Sequence, residues 1–414
     1  MLVNSHMQAA QSLAAGVASL PGIASSFAAI QAAWRFFNND RIKLSDLVEP
    51  LRDVGRLRTE SIESPFILLV HDWCKLSFSS PKKDMARLTH KHDVGYDLTT
   101  SLLVSPDDGA PLAPVEMHLK AGGKSLSTRT PAPRKVGHLE QMLPTMTASS
   151  QWDLARPILH VIDREADSVD HYRRWDAKGH KFLIRADDRR VKWNGRSVLL
   201  DEVTAEMQER QAFRHVGAGV HRGLPAELWV AETEVVLYRP ARKSKAGKKY
   251  HRRGRPLTLR FVVVQLRSEH GLVLAEWKLL TNAPVDWAEA GHLAFCYYWR
   301  WRIESFFKLL KSHGQQLEHW RQQTAPAIAR RLLVAAMACV VVWQLQADDS
   351  PAATELKDIL IKLSGRQMKR HRPHTAPALL AGLWPLLSML ALLEHYPLKE
   401  IKQLAQTLPQ IDTS

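Results

Sequence analysis

Tyr297, Arg300, Glu304 and Lys311 stand at offsets 0, 3, 7 and 14 in the stretch Tyr297-Tyr298-Trp299-Arg300-Trp301-Arg302-Ile303-Glu304-Ser305-Phe306-Phe307-Lys308-Leu309-Leu310-Lys311. At about 3.6 residues per turn, these four positions fall on one face of a helix. An aromatic hydroxyl, a planar cation, a carboxylate and a flexible cation on one face can hold a metal ion and grip phosphates beside it. Phe295, Ile303, Phe306, Phe307 and Leu310 supply an apolar side to bury. The plainer alternative is an amphipathic helix in which Arg300 and Glu304 form an i,i+4 ion pair and nothing more.

Two strand-like runs each carry a further acid. Phe66-Ile67-Leu68-Leu69-Val70-His71-Asp72 reads as a short buried strand delivering Asp72 at its tip. Ile158-Leu159-His160-Val161-Ile162-Asp163 reads as a second, with Asp163 at its end and a helix to follow. The structural alternatives are a helix cap for Asp163 and a loop start for Asp72. Glu165 and Asp167 are the acids that compete with Asp163 for a role. Taken together, Asp72, Asp163 and Glu304 make an acidic triad from two strands and a helix. At ~4 Å and an effective dielectric of ~20, each like-charged pair costs about 4 kcal/mol, so such a cluster needs cations. Hard oxygen ligands with few His or Cys nearby favour Mg²⁺ or Mn²⁺ over zinc. Two such ions flanking a phosphate activate water or a 3′-hydroxyl and stabilise the leaving oxygen.

The three stretches together resemble the DDE transposases of the insertion-sequence-four group, which includes the transposon-five enzyme. That group's third motif is Tyr, two residues, Arg, three residues, Glu, six residues, Lys, and Tyr297, Arg300, Glu304 and Lys311 follow it. Its second motif, Asp-Arg-Glu-Ala-Asp after an apolar strand, is matched by residues 163–167. Leu279-Leu280-Thr281-Asn282-Ala283-Pro284-Val285 is similar to the Leu-Leu-Thr stretch before the third motif, and Ala33-Trp34-Arg35-Phe36-Phe37-Asn38-Asn39 to a segment near the group's N-terminus. The likeness spans residues 20–346. It implies an α/β fold: an RNase H-like, retroviral-integrase-like catalytic core with an inserted β-rich region and helical N- and C-terminal parts.

The resemblance also implies roles. Asp72, Asp163 and Glu304 become the catalytic, metal-binding acids. Tyr297, Arg300 and Lys311 handle phosphates at the transposon end. Trp277 takes the place of the tryptophan that receives a flipped base during hairpin formation, with a core aromatic as its structural alternative. The implied reaction is cut-and-paste transposition with a hairpin intermediate, by a homodimer that synapses the terminal inverted repeats of double-stranded DNA and joins them to target DNA. A catalytically idle DNA-binding relic and an RNase H-like nuclease that cuts without joining are the alternatives. There are departures: Trp73 and Cys74 follow Asp72 where the group has Thr, and the segment before Ala33 is short, with Met1-Leu2-Val3-Asn4-Ser5-His6-Met7 resembling a misplaced start or a cloning scar. A truncated copy is the expectation.

The bulk composition fits a nucleic-acid partner. Fifty-seven Lys and Arg against 42 Asp and Glu leave a net charge of +15, and the pI is about 9.8. Cys74, Cys296 and Cys339 have no metal-ligand spacing and suit a reducing compartment; a bacterial cytoplasmic location near the nucleoid is what the resemblance implies. The apolar run Leu332 to Trp343 is too short for a membrane span.

Five segments are expected: 1–62, a helical remnant of a DNA-binding region; 63–184, the first part of the core; 185–280, the β-rich insertion; 281–346, the second part of the core with the catalytic helix; and 347–414, a helical region for dimerisation. Within the core, strands are expected at Gly95–Val104 and Leu112–Leu119 around the turn Ser105-Pro106-Asp107-Asp108-Gly109, an exposed loop over 120–135, and a helix from Val136 to Met146. Arg239 to Arg260 holds ten Lys or Arg and no acid. It reads as an exposed loop, and Arg242, Lys248, Arg252 and Arg253 in it are candidate contacts to the DNA backbone. Arg366 to Pro373 is a second basic cluster, more in keeping with a solvated linker.

Overall fold

A computed structural model describes residues 24–88, 92–130, 137–245, 248–311, 314–367 and 374–407. Residues 1–23 of the expected helical remnant, part of the 120–135 loop and most of the 366–373 cluster therefore lie outside the described residues.

Helices α1 (Ala24–Asn38), α2 (Leu44–Leu47) and α3 (Glu49–Thr59) precede the first strand. The strands are β1 (Ile67–Leu76), β2 (Ala86–Arg87), β3 (Val94–Val104), β4 (Pro111–Ala121), β5 (Lys124–Ser127), β6 (Ile158–Ile162) and β7 (Lys181–Arg185), with helix α4 (His138–Ser149) before β6 and α5 (Val169–Asp176) after it. Next come β8 (Arg190–Trp193), β9 (Arg196–Leu199), helix α6 (Leu200–Glu209), β10 (Arg214–His221), β11 (Leu224–Leu237), β12 (Ala241–Lys245), β13 (Lys248–Arg252), β14 (Leu257–Arg267) and β15 (Val273–Thr281). Six helices close the chain: α7 (Ala290–Tyr298), α8 (Trp301–Leu310), α9 (Ala325–Ala347), α10 (Pro351–Ser364), α11 (Ala376–Leu393) and α12 (Leu398–Ala405).

One mixed sheet runs through the molecule in the order β5-β4-β3-β1-β6-β7-β15-β14-β11-β8-β9, with β2 on β3 and β10 on β11. β1 pairs antiparallel with β3 and parallel with β6, and β6 pairs parallel with β7. The β-rich stretch after β7 is thus no separate body: Leu279–Thr281 of β15 pair with Leu183–Arg185 of β7, and its strands continue the same sheet.

Strand alternation sorts the core into two layers. On β14, Val262, Val264 and Leu266 join one buried cluster, while Leu259, Phe261 and Val263 join the other. The first layer is covered by α7, α8 and α9 and includes Val70, Val161, Ile303 and Phe306; the second is filled by Met142 and Met146 of α4, Tyr172 and Trp175 of α5, and Val203 and Met207 of α6. Helices on both faces of a sheet give an α/β architecture. Helix α9 is long and apolar enough to cross a membrane, extending well past the run seen in sequence, yet 83% of its most apolar stretch is buried in the fold. α11 has the same hydropathy and is 28% buried.

Four expectations need correction. The stretch from Tyr297 to Lys311 is not one helix: α7 ends at Tyr298, α8 starts at Trp301, and Lys311 lies just beyond α8. Asp72 is not at a strand tip, because β1 runs four residues further, paired to Tyr96 through Thr99 of β3. What ends at that level is the parallel pairing, whose last partners are His71 and Ile162. The basic run is not a loop but a two-stranded hairpin, β12 on β13, paired only with itself among the described residues. The 120–135 segment holds a strand, β5, hydrogen-bonded to the end of β4.

Candidate active site

Asp72 and Asp163 are placed by sheet register. They follow the last parallel pair, His71 and Ile162, so they sit side by side on neighbouring strands, about 4.8 Å apart along the hydrogen-bonding direction. Each is two residues past a core valine, Val70 or Val161, and period-2 alternation points both toward the face that α8 covers. This is the carboxyl end of the parallel strands, where open α/β sheets bind ligands. At the same end, β7 finishes on Arg185.

Glu304 is delivered by α8, and the start of that helix is fixed by the β3–β4 turn. Gly109 adopts φ +72°, and a Cβ there would lie 2.3 Å from the indole of Trp299, so the Trp299 ring packs directly on the glycine backbone. Arg302 Nε donates to the Gly109 carbonyl at 2.7 Å, and His292 Nε2 meets the Pro106 carbonyl at 2.6 Å. Between the helices the hydrogen bonds tighten to i→i+3: Arg300 N–H to Tyr297 O (3.1 Å), Arg302 N–H to Trp299 O (2.9 Å) and Ile303 N–H to Arg300 O (3.1 Å). A 3₁₀-like step of this kind accounts for the break without a proline.

The three acids meet around one guanidinium. Arg300, 4% exposed, places Nη1 3.4 Å from Asp72 Oδ2, and Nη2 2.8 Å from Glu304 Oε1 and 3.9 Å from Asp163 Oδ2. Tyr297 donates its hydroxyl to Asp163 Oδ1 at 2.8 Å, and Asp72 Oδ1 accepts the Trp73 N–H at 2.8 Å. Burial, reinforced by Glu304 and Asp163, pushes the Asp72 carboxyl up to about 6 against the pull of Arg300 and the Trp73 N–H. Burial also acts to raise Asp163, but Arg300, the Arg164 N–H, the Tyr297 hydroxyl and Arg185 outweigh it and hold that carboxyl below its ordinary value. Burial opposes the charge on Arg300, and Tyr297 with the three acids more than restores it.

The competing acids are engaged elsewhere. Glu165 accepts the indole N–H of Trp73 at 2.7 Å. Asp167 accepts from the Tyr172 hydroxyl (2.6 Å) and the Asp187 N–H (2.8 Å), and pairs with Arg189. Lys311 reaches the Lys75 carbonyl and Glu318 (3.3 Å) rather than the acids. Trp277, 7% exposed, packs edge-on against Tyr297 with centroids 5.3 Å apart. Arg242 and Lys248 lie on β12 and β13, and Arg252 and Arg253 are exposed at the end of that hairpin. Sequence reasoning missed Arg185, whose signal was a cation closing the apolar run Phe182-Leu183-Ile184, and Trp73, which braces both Asp72 and Glu165.

Among the described residues, no three His, Cys, Asp or Glu side chains already surround a common ion position. The donor set nevertheless suits a hard divalent cation: carboxylate oxygens of Asp72, Asp163 and Glu304, all within ion-pairing reach of one positive group.

Residues 118–341, more than half of the chain, match the transposase DDE domain. The chain belongs to that family. Asp163, Trp277, Tyr297, Arg300, Glu304 and Lys311 of this DDE transposase lie inside the matched span, and Asp72 lies before it. Among solved structures the chain is similar to one described as a piggyBac transposase synaptic complex with hairpin DNA, at 10% identity and a TM-score of 0.39, covering 100% of this chain and 75% of that one. No curated protein matches the sequence.

Proposed function

We propose that this DDE transposase is of the insertion-sequence-four, transposon-five-like type, and that it cleaves transposon ends and transfers the freed strand to target DNA through Asp72, Asp163 and Glu304. The observation that carries the proposal is the convergence of these acids, from β1, the end of β6 and α8, on the single guanidinium of Arg300. The antiparallel β1-β3-β4 meander, continued by parallel β6 and β7, supports an RNase H-like core.

In the proposed reaction a 3′-hydroxyl is freed at the transposon end, attacks the opposite strand to give a hairpin, and after hairpin opening is joined to target DNA. Mg²⁺ or Mn²⁺, held by Asp72, Asp163 and Glu304, supplies Lewis-acid stabilisation at the reacting phosphate and a more acidic nucleophile. Tyr297 keeps Asp163 oriented through its hydrogen bond. Arg300 and Lys311 neutralise charge on phosphate oxygens. Trp277, through its contact with Tyr297, supports that residue and marks where an extruded base would stack. The β12–β13 hairpin contacts the DNA backbone through Arg242, Lys248, Arg252 and Arg253, positioning the duplex without reading its sequence. A homodimer holding two terminal inverted repeats completes the assignment.

The test is cleavage and strand transfer of terminal-repeat DNA with Mg²⁺ or Mn²⁺. Asp163→Ala and Glu304→Gln are expected to bind DNA as the wild type does and to lose both activities. Normal cutting by either variant would remove that residue from the catalytic set. Cutting without joining by the wild type would instead favour a nuclease.

A further inference from the structure

Arg300 is almost wholly buried, yet its hydrogen bonding is incomplete. Its Nε is enclosed without a hydrogen-bond partner. Of its three acid contacts only that to Glu304 is short, at 2.8 Å; Asp72 stands at 3.4 Å and Asp163 at 3.9 Å. None is the two-bond fork that a guanidinium makes with a carboxylate or phosphate when it is fully engaged. One guanidinium therefore stands within ion-pairing reach of all three carboxylates, with donor capacity left over, while Arg185 acts, of the three acids, only on Asp163 and from further off. The same carboxylate oxygens are the ones a divalent ion requires, and two cations cannot share them closely without strong repulsion.

We propose that Arg300 is the resident counter-ion of the acid cluster: it holds Asp72, Asp163 and Glu304 together in the ion-free protein, competes with a divalent cation for their oxygens, and releases them when a DNA phosphate takes up its guanidinium. A phosphate supplies what Arg300 lacks here, two oxygens spaced to accept paired N–H donors. DNA and the divalent ion then bind cooperatively, and by linkage each tightens the other by the same factor. The inference rests on the proposed ion-binding role of the three acids and adds to it an order of events: the ion takes full hold only where DNA is already present.

Mn²⁺ titrations read by calorimetry and by thermal unfolding, without turnover, test it. The protein is measured alone and with a short blunt duplex of arbitrary sequence, and Glu304→Gln serves as the blank for ions bound elsewhere. Wild-type protein is expected to bind Mn²⁺ at least tenfold more tightly with the duplex present. Arg300→Gln is expected to bind Mn²⁺ at least tenfold more tightly than wild type without DNA, to show little further gain with it, and to unfold at lower temperature in chelator. Arg300→Lys, which keeps the charge but loses the fork, is expected to stay near the wild-type affinity without DNA. Wild-type binding that Glu304→Gln does not reduce would overturn the ion-site assignment and this inference with it. Glu304-dependent binding that Arg300→Gln leaves unchanged or weakens, or an Arg300→Lys affinity equal to that of Arg300→Gln, would overturn the counter-ion role alone.

Discussion

Replacing Asp72 with Asn should stabilise the ion-free protein while abolishing its ion-dependent chemistry. Burial first, and then the charges of Glu304 and Asp163, raise the Asp72 carboxyl from 3.8 to about 6, a shift already net of the attraction of Arg300. A carboxyl with a higher pKa in the fold than in the unfolded chain holds its proton more tightly when folded. The stability tied to that proton is fully present below about 3.8 and is lost as the pH rises through about 6. About two pK units at ~1.36 kcal/mol each set a ceiling of about 3 kcal/mol. The side chain is 21% exposed, and solvent screening brings the expected value to about 1–2 kcal/mol. Asn keeps the shape and the oxygen that accepts the Trp73 N–H, and it removes the charge. Urea unfolding in chelator should therefore show Asp72→Asn more stable than wild type by about 1–2 kcal/mol at pH 7.5, with the difference vanishing near pH 4. A variant less stable than wild type at pH 7.5, or a difference independent of pH, would refute the argument that burial, aided by the neighbouring acids, opposes the charge on Asp72.

Three further outcomes are expected. His118 is 3% exposed with an unpartnered Nδ1, and burial, aided by Lys120 and Arg129, lowers its pKa from 6.5 to about 4; its neutral form stabilises the fold above pH 6.5, that contribution is lost as the pH falls toward about 4, and His118→Gln should reduce the total loss of stability across this window by up to about 3 kcal/mol. Arg252→Ala with Arg253→Ala should weaken DNA binding equally across sequences and reduce the slope of log affinity against log salt by about 2, measured by fluorescence anisotropy. Gly109→Ala places a methyl group against the Trp299 ring at φ +72°, so it should destabilise the fold by about 1–3 kcal/mol and, by shifting α8, weaken Mn²⁺ binding while the packing of β1 on β6 survives, as read by hydrogen exchange.

The convergence of Asp72, Asp163 and Glu304 was legible because each ends or interrupts an apolar run that reads as a buried element. The sheet order was partly legible too, since the turn at 105–109 fixes β3 against β4. Three features were not. β1 continues past Asp72 because β3 offers it a partner as far as Leu76, and pairing is a property of the neighbour rather than of the strand. The break at Trp299–Arg300 has no Gly or Pro to announce it; its cause is the seat of Trp299 on Gly109, nearly two hundred residues earlier in sequence. The basic hairpin was hidden because its residues are polar throughout and show no alternation for a buried face to impose. The choice of Asp163 over Glu165 and Asp167 likewise rests on hydrogen bonds that distant residues supply: Trp73, Tyr172 and Arg189.

The three acids are not held in the same way. Asp72 lies within β1 and Asp163 directly follows β6, one residue past the last parallel pair His71 and Ile162, so the sheet brings their backbones side by side. Glu304 belongs to α8, whose first turn meets the β3–β4 turn through one indole ring and one arginine and whose Ile303, Phe306, Leu309 and Leu310 are buried in the core. Its position relative to the aspartates is set by side-chain packing rather than by strand pairing, and Arg300, one helical turn before it, is the group that spans the gap. The helix break serves this arrangement: it lets Tyr297 remain fastened to Asp163 from α7 while Glu304 is positioned separately by α8.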